Sequence, residues 1–214
     1  MLKILSFILL IPTLAYTKPH MIAEVGKLSC LDRAKSPKSL IKEMGITTSG
    51  TKRSELKVVA NTAETIAKMT NDAQAKRIMS GLKVFFKKTL GNNSSGGCLP
   101  AHQLIPRQIH MGRTCPNGYK IPNVEGIFVH ELGHFVANKL GLYPKYRAQV
   151  KKRCKISKYM YQTSSGRKHK SINEEFAEVF AAYLIYPKKL KRKCPQSYEF
   201  MRKKLFLGSE AACL

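Results

Sequence analysis

Between Ser54 and Leu90 the apolar positions Leu56, Val59, Ala63 and Ile66, then Ile78, Leu82, Phe85 and Phe86, recur three or four apart. That spacing predicts two helices packing on one core, with Thr70-Asn71-Asp72 as the stop of one and the N-cap of the next. Gly91-Asn92-Asn93-Ser94-Ser95-Gly96-Gly97 reads as a loop. Residues 98–122 carry Pro100, Pro106, Pro116, Pro122 and Asn117-Gly118, which predicts short strands and turns, with Arg107 to Met111 as an edge strand. A helix is expected from Asn123 to Gly141, a glycine placed where a left-handed C-terminal residue belongs. Residues 142–170 look loop-like. A last helix runs from Ser171 to about Tyr186, stopped by Pro187 and followed by a basic, Cys-bearing tail. The sum is an α+β fold dominated by helices, with a small strand region.

The front of the chain has a different pattern. In MLKILSFILLIPTLAYT, Lys3 precedes an apolar run from Ile4 to Ile11 and the small-residue site Thr13-Leu14-Ala15. This is the layout of a cleaved secretory signal, residues 1–17, and the run is too short for a membrane span of about 20 residues. Residues 18–52 are polar and broken by Pro19, Pro37, Gly45 and Gly50, as in an N-terminal arm or pro-segment. Residues 53–214 are the expected folded domain. An exported chain keeps disulfides, and six Cys with no C-x-x-C pair suit three structural bridges, Cys98 with Cys115 being the pairing that would clip a turn-rich segment. Of 214 residues, 43% are apolar, which excludes disorder throughout.

The chemistry sits on the helix expected after Asn123. His130-Glu131-Leu132-Gly133-His134 places two imidazoles one turn apart on one face, able to share one metal ion, with Glu131 turned sideways towards a metal-bound water. Ile127, Phe128, Val129, Leu132, Phe135 and Val136 make this helix apolar nearly all round. A buried helix does not hold two imidazoles and a carboxylate without a partner, and Zn2+ is the economical one.

A catalytic zinc needs a third protein ligand. A downstream His is excluded, because Ala137 and Leu140 stand where an extended His motif needs Gly and His. Between residues 73 and 173 the only acids are Glu125 and Glu131; then Asn173-Glu174-Glu175-Phe176-Ala177-Glu178 supplies three within five positions. Glu174 and Glu178 share a face with Ala177 and Ala181, small residues that would let the two helices approach closely. Glu174 is assigned as third ligand and Glu178 as an acceptor behind a ligand His. The competing reading makes Glu174 the third residue of a capping box opened by Ser171.

His-Glu-Leu-Gly-His followed some 40 residues later by Glu-Glu-Phe-Ala-Glu resembles the gluzincins, zinc metalloproteases with a Glu as third ligand. Within them the run resembles the anthrax lethal-factor-like proteases, which include secreted Pro-Pro endopeptidases. The resemblance covers residues 123 to 186 and implies a zincin-like fold with zinc on His130, His134 and Glu174, Glu131 as general base and Glu178 in support. It also implies a Tyr steadying the oxyanion seven residues before the ligand Glu. This chain has Arg167 there, leaving Tyr161 or Tyr159 to supply the hydroxyl.

Charge enlarges the picture. With 38 Lys+Arg against 13 Asp+Glu the formal net charge is +25, and residues 139–170 hold eleven Lys+Arg and no acid. Such a field gathers anionic surfaces or polymers outside the cell. Base-stacking motifs are absent, which argues against sequence-specific nucleic-acid reading. The expected function is a secreted or periplasmic zinc endopeptidase acting on a protein or peptide. Its alternatives are a hydrolase of cell-wall peptides and a non-catalytic cationic protein binding anionic polymers. His20, His102, His110 and His169 are read as ordinary loop histidines.

Overall fold

A computed structural model of the chain describes residues 36–91, 101–105, 107–121, 123–157, 159–161 and 171–209, with backbone alone at 102–105 and 161. The expected signal peptide, the arm as far as residue 35, the loop from Asn92, the basic stretch 162–170 and Cys30, Cys98 and Cys213 lie outside these residues.

Ser36 caps α1 (Pro37–Glu43), its hydroxyl accepting from the Ser39 amide. Gly45, at φ +67, turns the chain into β1 (Thr47–Ser49). Leu40, Ile41, Met44 and Ile46 are all buried, so the 18–52 segment is part of the common core from residue 36 on. α2 (Arg53–Met69) and α3 (Asp72–Met79) are the two helices expected there, and the Asn71 side chain accepts from the Gln74 amide as the cap between them.

The second helix is shorter than its spacing predicts. Gly81, at φ +78, ends the turn after α3, and Leu82 to Phe86 belong to β2 (Lys83–Lys87) and its approach. Val84 and Phe86 point inward while Lys83 and Lys87 are exposed, a period of two that wins because the sheet buries alternate residues. β3 (Ala101–Ile105) and β4 (Gln108–Gly112) complete a four-stranded sheet in the order β1-β2-β4-β3. β1, β2 and β4 run parallel, with Val84 beside Ile109 and Phe86 beside Met111, and β3 is antiparallel to β4. The strand expected at an edge is therefore interior. A left-handed Arg107 (φ 79) leads directly into it. His110 lies on this strand, not in a loop, and stacks on Phe85 at 4.8 Å.

α4 (Val124–Leu140) runs between Asn123, whose side chain accepts from the Gly126 amide, and a left-handed Gly141. It packs on α6 (Ile172–Ile185) and touches β3, β4 and α2. Besides α1, three α-helices were not anticipated: α5 (Leu142–Gln149), α7 (Pro187–Lys193) and α8 (Pro195–Lys204). Pro187 and Pro195 each open a helix, because a first-turn residue has no intrahelical N–H bond to lose. Cys154 and Cys194 form a disulfide, and Cys115 is also disulfide-bonded. The helix-dominated α+β class is the one expected. Among the described residues no helix is long and apolar enough to cross a membrane.

Candidate metal centre

The site is built where α4 crosses α6, and the crossing is close because of glycine. A Cβ at Gly133 would stand 2.9 Å from the Ala177 Cα and 3.2 Å from its carbonyl oxygen. A residue whose only side-chain atom is hydrogen faces an alanine, so two backbones meet where larger side chains would hold them apart. The residues on either side of this contact are His130, His134, Glu174 and Glu178.

His130 is buried, and its Nδ1 lies 2.9 Å from Oε1 of Glu178, a carboxylate with no solvent exposure. A carboxylate accepts, so the imidazole donates from Nδ1, and Nε2 is the nitrogen turned to Glu174 and available to a metal once it gives up its proton. His134 is fixed by a different group: its Nδ1 is 2.9 Å from the Tyr143 hydroxyl on α5. Both Nε2 atoms converge on Glu174, at 3.4 Å from its Oε2 and 3.5 Å from its Oε1. Tyr159, in a single 3-10 turn (Tyr159–Tyr161), donates its hydroxyl to Oε2 of Glu174 at 2.9 Å and sets its ring edge-on to His130.

The Glu174 amide bonds the Ser171 hydroxyl at 3.3 Å, so the backbone half of the capping box forms while the carboxylate turns to the imidazoles. The capping and metal-facing readings of this residue are compatible. The cluster opens to solvent on the Glu174 side. Side-chain exposure rises from 2% at His130 through 13% at His134 to 27% at Glu174.

The electrostatics follow from burial and proximity. Desolvation alone would lower the pKa of His130, but the Glu174 and Glu178 carboxylates outweigh it and raise it to about 10. Burial raises Glu174, yet hydrogen bonds to both imidazoles hold it well below the carboxylate range. Glu131, 8% exposed, is raised by burial, with the two histidines pulling the other way. Tyr159 and Tyr143 are pushed up, first by burial and then by Glu174, and stay protonated.

The donor set fits zinc. One ligand atom each from His130, His134 and Glu174 lie within 4.8 Å of one another. Zinc takes imidazole nitrogen and carboxylate oxygen at about 2.0–2.2 Å, and ligand atoms at that radius on a tetrahedron are about 3.4 Å apart. Nε2 of each ring stands at about that distance from one oxygen of Glu174, His130 from Oε2 and His134 from Oε1. Both Nδ1 atoms are engaged, so Nε2 of each ring is the atom that would bind, and a water would have to reach the metal from the exposed Glu174 side.

Tyr143 was not singled out in the sequence; its signal is its position as the second residue of a helix that follows Gly141 directly. Tyr143→Phe removes the acceptor that fixes His134 while keeping the ring against Phe176. Zinc affinity, measured by competition with a chromophoric chelator, should fall about 10-fold or more. The side chain of Tyr161, the predicted oxyanion partner, lies outside the described residues, and Tyr159 is the tyrosine placed at the cluster.

The chain matches no family model and no curated protein. Among solved structures it is similar to the Pro-Pro endopeptidase PPEP-2 from Paenibacillus alvei, with 19% identity over 77% of this chain and 98% of that one, at a TM-score of 0.44.

Proposed function

We propose that the chain is an exported zinc-dependent endopeptidase of zincin-like fold, with the metal held by His130, His134 and Glu174. One observation carries this reading: two imidazole Nε2 atoms and a carboxylate converge on one partly open point, with Glu131 beside them on the same helix. When bound, zinc lowers the pKa of a coordinated water to about 7 and polarises a carbonyl.

The rest is done by the chain's own groups. Glu131, buried at the floor of the site, takes the proton from the attacking water and returns it to the leaving amine. Glu178 and Tyr143 hold the two rings in the tautomer that leaves Nε2 free. In this reading Tyr159, whose proton is kept by burial and whose hydroxyl rests on Glu174, turns that donor to the oxygen that gains charge as the carbonyl is attacked.

Export is supported by the apolar leader and by a disulfide suited to an oxidising compartment. Residues 36–209 belong to the catalytic unit in this reading, and removal of a pro-segment would concern the chain before residue 36. The exposed cations of α7 suit an anionic surface near the substrate.

Metal content and cleavage of a broad peptide library, with and without a chelator, test the proposal. Zinc at about 100 times its dissociation constant should stabilise the fold by about 2.7 kcal/mol. For a domain of this size that raises Tm by about 5–10 °C. A chelator should abolish both the shift and the cleavage. A chain that takes up no zinc, or cleaves equally well in chelator, removes the reading.

A further inference from the structure

Glu174 and Glu175 are neighbours on α6, and their carboxylates serve opposite sides of the helix. Glu174 faces the imidazoles; Glu175, with no solvent exposure, faces the segment that follows α5. Oε1 of Glu175 accepts from the Cys154 amide at 2.9 Å and from the Tyr146 hydroxyl at 3.0 Å, while Oε2 pairs with the Arg153 guanidinium. The Tyr146 hydroxyl reaches on to Ser197 of α8 at 2.9 Å. Around this point the same segment is tied twice more to the start of α8. Gln196 Oε1 accepts from the Lys151 and Lys152 amides, and Cys154 is bonded to Cys194. A buried carboxylate with two donors and a cation is fully satisfied, and removing its partners would leave a costly buried charge.

The clamped segment leads directly to the catalytic cluster. Tyr159 stands five positions after Cys154 in the sequence, and Ile156 before it and Met160 after it are buried. α6 therefore holds this arm at both ends: Glu175 grips its base and Glu174 accepts from the tyrosine at its tip.

Resting on the hydrolase reading above, we infer that Glu175, together with the Cys154–Cys194 bridge, is a positioning device that holds the Tyr159 hydroxyl over the metal site. The clamp acts on catalysis through Tyr159 and leaves metal binding to the α4–α6 crossing. Reducing agents would then slow the enzyme without stripping its metal.

The test uses the full chain loaded with zinc, in two clamp variants: Glu175→Gln, which keeps the shape and loses the charge, and the double variant Cys154→Ser/Cys194→Ser. Each should lower kcat about tenfold or more, as misplaced catalytic groups do. The zinc dissociation constant should stay within about twofold of the parent, well short of the 10-fold seen when a ligand's support is lost. In a Tyr159→Phe background the same clamp variants should change kcat by less than about twofold, because their target is gone. Losses that multiply in that background, or zinc affinity that falls in step with kcat, overturn the inference.

Hydrogen exchange over residues 154–161 separates this proposal from the reading it rests on. Faster exchange in the clamp variants supports the clamp even if the parent chain cleaves no peptide, an outcome that sinks the hydrolase alone. Unchanged exchange in both variants sinks the clamp.

Discussion

Glu131→Gln lowers kcat by about 10^2–10^4-fold, the range general acid–base groups contribute, with bound zinc unchanged. The expectation follows from how the residue is placed. Glu131 shares α4 with both histidines, but one position along from His130 its side chain is rotated away from the metal-facing line. It is 8% exposed, so an amide of the same shape keeps the packing and removes a carboxylate whose burial already disfavours its charge. Folding should suffer little, while proton transfer loses its acceptor. KM should move far less than kcat, because the lost interaction belongs to the transition state. Titrated zinc, kcat and KM on one peptide decide the matter. A Gln variant with full turnover removes Glu131 from the mechanism, and one that also loses its metal reassigns it as a ligand.

The two helices that carry the His/Glu cluster could be read from the sequence because their signals are local. Asn123, Gly141 and Ser171 each sit where a helix end needs a side-chain acceptor or a left-handed residue, and the structure uses each in that role. The pairing of Glu174 with the two histidines was legible for a related reason: acids are so scarce between residues 73 and 173 that few groups compete. What was missed depends on distant partners or on coincidence of period. Ile78, Leu82, Phe85 and Phe86 fit a helix by spacing, yet Gly81 breaks the run and the sheet makes Val84 and Phe86 the inward pair. α5 carries only Leu142 and Tyr146 inward, too few apolar residues to stand out among cations. The burial of Glu175 goes with its partners Arg153 and Tyr146, more than 20 residues away, which no local pattern reveals. The proline at 187 was read as a stop because a first-turn proline and a terminating one look alike until the next helix is known.

Gly133→Ala is the second large effect, and its sign is the informative part. In an ordinary helix interior this change stabilises by about 1 kcal/mol, since alanine is the better helix former. Here the new methyl would meet the Ala177 Cα at 2.9 Å and the Phe180 Cβ at 3.2 Å, and the nearest obstacle is backbone that no rotamer change can move. Overpacking of this kind costs about 1–3 kcal/mol, which outweighs the propensity gain at all but the low end. To relieve it α4 and α6 must separate, and His130 and His134 ride on one helix while Glu174 rides on the other. Zinc sites tolerate about 0.2 Å of error in ligand distance, so a shift of a few tenths of an ångström weakens the centre even where the fold survives. The expected result is a lower Tm without metal, by about 2–8 °C, together with zinc affinity reduced about 10- to 100-fold. Gly133→Val should exceed it in both. Thermal melts with and without zinc read the two effects separately. An alanine variant that melts higher than its parent and binds zinc as tightly would mean that the helix crossing is not held by this contact, and the geometry of the centre would need another explanation.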